Sequence, residues 1–96
     1  MKNDFDINVF VNTQTIQSIL ASLTDRVKER RKEIKLSQKL LAQKSGVSYA
    51  SIRRFENTGE IALVSLLKIA KVLSCLEDFN VLFGNKVITN LKDLDL

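Results

Sequence analysis

Ten lysines and arginines lie between Arg26 and Arg54, against only two acids, Glu29 and Glu33, a net charge of +8 within 29 residues. Ammonium and guanidinium groups at that density bind polyanions, and arginine can also grip a base edge through two hydrogen bonds. The flanks carry the opposite sign: residues 1–25 and residues 55–96 each have a net charge of −2, so the overall +4 understates the asymmetry. A solvated helix surface accounts for Lys28, Glu29, Lys32 and Glu33, where the signs mix. It does not account for the excess. A polyanionic partner touching this segment is the simplest reading.

Other kinds of chemistry find no residues to carry them. The chain has no histidine and one cysteine, Cys75. It shows no carboxylate pair, glycine-rich phosphate loop or metal-ligand spacing. An enzyme, a metal and a bound cofactor are therefore not expected. A lone cysteine makes no internal disulfide, there is no signal-peptide pattern, and no apolar run nears 18 residues. A cytoplasmic protein, nucleoid-associated and without membrane contact, is the expectation.

The stretch that must position the cations is SQKLLAQKSGVSYASIRRFE, Ser37 to Glu56. It reads as two short helices around a turn. Ser37 caps a helix over 38–45 with Leu40, Leu41 and Ala42 inward, Gly46 supplies the turn, and Ser48 caps a helix over 49–57 with Ile52, Phe55 and Glu56 inward. Two helices that cross closely need a small residue, supplied by Ala42. They need a glycine four positions later, which is Gly46. They also need apolar contacts from the second helix to the core, and Val47, Ile52 and Phe55 provide them. Together these features make a helix-turn-helix pattern.

The surrounding chain is one small domain, 96 residues with 45% apolar content, three glycines and no proline, a composition that leans all-helical. Thr13 or Thr15 caps a first helix reaching residue 33 or 34, with Ile16, Ile19, Leu20, Leu23, Val27 and Ile34 at helical spacing and Arg31 on the same stripe. Thr58 and Gly59 form a turn. A fourth helix over 63–74 is expected to bury Leu63, Leu66, Leu67, Ala70 and Leu73, with Ala62 a poor cap. A fifth, over 77–83, has Glu77 and Asp78 at its start. The expected layout is an arm over 1–14, a helical domain over 15–84 and a carboxyl-terminal extension over 85–96. In the arm, DFDINVFV alternates, with Phe5, Ile7, Val9 and Val11 on one face, which is a strand signal. Such a strand pairs with a copy of itself, pairs with another protein, or lies on the helices; the first two are preferred.

The run RVKERRKEIKLSQKLLAQKSGVSYASIRRFENTGE resembles the DNA-binding domain of the Cro and lambda-repressor class of bacterial regulators, over about residues 23–83. The resemblance implies a five-helix all-α fold. It implies that Arg31 pairs with Glu56 as a structural contact, and that Gln38 grips phosphate from the start of the second helix. Ser48, Tyr49, Ala50 and Arg54 match positions facing the major groove, with Arg53 beside them. Ser51 and Asn57 fit backbone contacts, and Lys39, Lys44 and Lys35 offer phosphate attraction or solubility. A narrower similarity, over RRFENTGEIALVSLLKIAKVLSCLEDFNVLF, is to HipB-like antitoxins paired with HipA-type kinase toxins. It implies a dimeric repressor of its own operon that also binds a kinase toxin. The alternative is a stand-alone phage-type repressor or a restriction–modification controller. Leu76, Phe79, Leu82 and Phe83, with the arm, are the apolar surface available for a dimer or partner.

Overall fold

Thr15 starts the described fold. Its hydroxyl oxygen accepts the Ser18 N–H at 3.0 Å, and the Ser18 hydroxyl accepts the Thr15 N–H at 3.0 Å, a reciprocal capping box. From that cap, α1 runs Ile16–Glu33 in the computed structural model, which describes residues 14–87. The strand expected over 4–11 and the tail after Val87 lie outside the described residues.

Ser37 caps α2, Gln38–Ser45, its hydroxyl oxygen accepting the Leu40 N–H at 3.0 Å. Gly46 closes α2 in the left-handed region at φ 80°, donating its N–H to the Ala42 carbonyl at 2.9 Å. Ser48 caps α3, Tyr49–Thr58, by accepting the Ser51 N–H at 3.0 Å, and Gly59 ends it at φ 85°. Gly59 is constrained twice, since a Cβ there would also lie 3.0 Å from Leu20 Cβ on α1. Next comes α4, Leu63–Val72, whose cap position Ala62 makes no side-chain hydrogen bond. The last element is a 3-10 helix, Leu76–Val81, with Glu77 and Asp78 in its first turn.

The regular elements among the described residues are all helices. α3 packs on α1 and α2, α4 packs on α2, and the 3-10 helix packs on α4. The core between them holds Leu41, Val47, Ile52, Phe55, Leu66, Ile69, Ala70 and Leu73. Ile69 and Leu73, at the carboxyl-terminal end of α4, share one buried cluster with Leu41 of α2 and Ile52 of α3.

Several expectations need correction. The fifth helix is 3-10 rather than α and spans Leu76–Val81. The fourth ends at Val72 because Ser74 turns to φ 62° and the Cys75 N–H returns to the Ala70 carbonyl at 2.8 Å. Leu63 is 61% exposed, and Ile69, absent from the expected stripe, is buried. The α4 sequence is apolar nearly all round, so its periodicity does not fix which edge faces the core. Leu40 and Ile34 are exposed as well, and so are Ile16 and Ile19 at the start of α1.

Candidate nucleic-acid interface

The rear of α3 is anchored by one carboxylate. Glu56 Oε2 accepts Arg31 Nε at 2.8 Å, and its Oε1 accepts both Arg31 Nη2 at 2.9 Å and Gln38 Nε2 at 2.8 Å. Arg31 Nη1 adds a bond to the Leu36 carbonyl at 2.9 Å. The Arg31 and Glu56 side chains are only 10% and 3% exposed. Two buried charges remain tolerable because the guanidinium fork matches the carboxylate, while the Leu36 carbonyl and the Gln38 amide add further partners. This cluster ties α1, the start of α2 and the end of α3 into one frame. Ala42, half-buried, lets α2 approach its neighbours, and Ile52 and Phe55 fix the inner side of α3.

The outer side of α3 faces solvent. Tyr49, Ala50, Arg53, Arg54 and Asn57 are exposed, and Ser51 is half-buried. Lys39 and Lys44 are exposed on α2. Lys39 Nζ and the Arg53 guanidinium carbon each sit 5.5 Å from the Tyr49 ring centroid, so one aromatic ring gathers two cations from two helices. The Ser48 hydroxyl is occupied locally: besides accepting the Ser51 N–H, it bonds to Ser51 Oγ at 2.8 Å. Gln38 is half-buried, and the Glu56 contact already uses its side-chain nitrogen.

Sequence reasoning missed two contacts. One is Gln38 with Glu56. The other is an ion pair between Arg54 and Glu60, both exposed. Thr58 organises that pair, donating its hydroxyl to the Arg54 carbonyl at 2.8 Å and accepting the Glu60 N–H at 3.0 Å. The signal was present: opposite charges six residues apart across the glycine turn at Gly59. Of the expected partner-facing residues, Leu76 and Phe83 are exposed and Phe79 is half-buried, while Phe5, Ile7, Val9 and Val11 lie outside the described residues. Among the described residues, no group of acidic, histidine or cysteine side chains is arranged to hold a metal ion, and no helix is long and apolar enough to cross a membrane.

Residues 27–79, more than half of the chain, match the family described as Helix-turn-helix. The chain belongs to the helix-turn-helix family. A curated relative from Rhodospirillum rubrum, named an uncharacterized transcriptional regulator in the ATPase CF(0) region, is 35% identical over 69 residues, 71% of this chain. The chain spans 64% of that relative's length. No solved structure matches the chain. In a helix-turn-helix unit the second helix is the one that enters the major groove, while the first crosses the phosphate backbone. Here those are α3 and α2, which meet at the Lys39–Tyr49–Arg53 cluster.

Proposed function

We propose that the protein is a sequence-specific transcriptional repressor that binds double-stranded DNA as a homodimer on a palindromic operator. The observation that carries this reading is the division of α3 into a rear clamped through Glu56 and an exposed basic front gathered around Tyr49. In this reading Arg54 and Arg53 read guanine edges, and each good bidentate pair is worth about 1–3 kcal/mol of discrimination. Tyr49 meets a sugar or a thymine methyl, and Ala50 allows close approach. Gln38, Lys39, Lys44, Ser48, Ser51 and Asn57 hold the backbone. The Arg54 pair with Glu60 is solvent-exposed and therefore weak, so a base or phosphate can displace the carboxylate. Two copies related by a two-fold axis place their α3 helices in successive major grooves, about 34–36 Å apart.

Selection of binding sites from randomised duplexes tests this directly. The expected product is a pseudo-palindrome with half-sites about one helical turn apart. Recovery of no enriched sequence would overturn the reading.

A finer reading makes the protein the antitoxin of a HipBA-like pair, repressing its own operon and binding a kinase toxin. It is supported by the resemblance over RRFENTGEIALVSLLKIAKVLSCLEDFNVLF and by the apolar surface that Val81, Leu82 and Phe83 leave exposed at the end of that run. Expression with the neighbouring gene, followed by purification through one partner, tests it. A stable complex with a kinase-like protein is expected; a chain that purifies alone beside no such gene belongs instead with stand-alone repressors or controller proteins.

A further inference from the structure

A groove of about 390 Å³ runs between α1, α4 and the 3-10 helix. Its lining is mainly apolar, with Ile19, Leu23, Val27, Leu66, Leu73 and Phe79 among the residues. None of the lining residues belongs to α2 or α3, so the groove is separate from the DNA-binding face. At its amino-terminal end α1 exposes Ile16 (77%) and Ile19 (50%), two β-branched residues that a helix of this length would normally bury.

We propose that residues 4–11 of the same chain, DFDINVFV, lie along this groove, with Phe5, Ile7 and Val9 seated in it. Three observations on chain length, charge and pattern select this occupant.

The first is reach. Gln14 directly precedes the cap of α1, so the segment is tethered where Ile16 and Ile19 are bare. Eight extended residues span roughly 26 Å, and the 18 residues of α1 rise about 27 Å. A chain that reverses through residues 12–15 can therefore run back along the whole groove. The second is charge. Arg26 and Arg30 line the groove, Asp78 is the one acid among the lining residues, and Arg30 also pairs with Glu33 at 3.5 Å. Reversed along α1, the segment brings Asp4 and Asp6, on its outward face, to the end where those arginines, both solvent-exposed, stand. The third is pattern. Period-two alternation puts Phe5, Ile7, Val9 and Val11 on one face and Asp4, Asp6 and Asn8 on the other. That face suits a groove with one apolar wall.

Cys75 provides a built-in reporter. It is the only cysteine of the chain, it is half-buried, and it lines this groove. The experiment compares the rate at which Ellman's reagent modifies Cys75 in the full-length protein, in the triple variant Phe5→Ser, Ile7→Ser, Val9→Ser, and in the opposite-face variant Asn8→Ser. The triple variant should react about ten-fold faster, and Asn8→Ser should match the unsubstituted protein, because thiol attack needs access. Rates should also be independent of protein concentration. Equal rates in all three proteins would overturn the proposal. So would protection of the unsubstituted protein that grows with concentration, since a second copy would then fill the groove.

Should the triple variant fail to fold by circular dichroism, the unsubstituted chain decides alone. Nuclear Overhauser contacts from Phe5 and Ile7 to Leu23, Leu66 or Phe79, assigned within one chain in a mixture of labelled and unlabelled protein, support the arrangement. Contacts found only between chains, or none, overturn it.

Discussion

Glu56 sits on α3 with its carboxylate turned away from solvent. It accepts hydrogen bonds from α1 and α2, and both it and Arg31 are nearly out of water. Removing one partner strands the other as a buried charge. Glu56→Ala should therefore lower unfolding free energy by about 3–5 kcal/mol, a large part of what a small domain has. The urea midpoint measures this, and a shift under about 1 kcal/mol would show that Arg31 finds water or another acceptor. The outward residues should behave differently. Arg54→Ala should leave the midpoint nearly unchanged while relaxing selection at one base position by about 1–3 kcal/mol, read from binding-site selection. Gln38→Ala belongs to both groups. It should weaken binding to all duplexes about equally and also lower stability, because its amide nitrogen is bonded to Glu56. Fluorescence anisotropy and urea melts on the same sample separate the two effects.

At the level of elements, the turns decide where the helices point. Gly46 and Gly59 share the left-handed conformation, at φ 80° and 85°, but not their surroundings. Around Gly46 nothing lies within 4 Å of an added Cβ; at Gly59 the Leu20 side chain is 3.0 Å away. Gly46→Ala should cost about 1 kcal/mol, from backbone strain, and Gly59→Ala more, by about another 1 kcal/mol or above, as α1 and α3 are pushed apart. Thermal or urea unfolding of the pair ranks them, and equal losses would mean that Leu20 yields freely. Ala62, without a capping bond, offers the opposite change: Ala62→Ser should stabilise α4 by about 0.5–1 kcal/mol in the same assay.

The boundaries of α2 and α3 were legible because their signals are local. Ser37, Gly46, Ser48 and Gly59 each act within a few residues of themselves. Which apolar residues are buried was less legible, because burial needs a neighbour. Ile16, Ile19, Leu40 and Leu63 have helical spacing and remain exposed, whereas Ile69 is buried on an α4 surface with no clear polar side. The 3-10 form of the last helix was also hidden, since Glu77 and Asp78 suit either kind of first turn. At the interface, the exposed cations of α2 and α3 could be placed from sequence, but the Gln38–Glu56 and Arg54–Glu60 pairs depend on a turn geometry that sequence spacing only suggests.

At the scale of the whole molecule, charge is segregated. The +8 segment spans the end of α1, all of α2 and half of α3, between two segments of net −2. Under the proposed function, a DNA polyanion is attracted to one part of the protein and repelled elsewhere, which orients the encounter before any base is read. For a dimer making about six to ten phosphate contacts, affinity should fall roughly 10³–10⁵-fold between about 50 and 200 mM salt, measured by anisotropy across a titration. A nearly flat titration would place the binding energy in uncharged contacts instead.

The split between the two sides of α3 also has an evolutionary meaning. Tyr49, Ala50, Arg53 and Arg54 contribute nothing to the buried core, whereas Ile52, Phe55 and Glu56 of the same helix are almost fully enclosed. Under the proposed function, mutational drift at the first four positions is cheap for folding and consequential for target choice. A lineage carrying this domain can thus acquire a new operator by exchanging a handful of side chains, and the same four positions are where a designer would begin to redirect it.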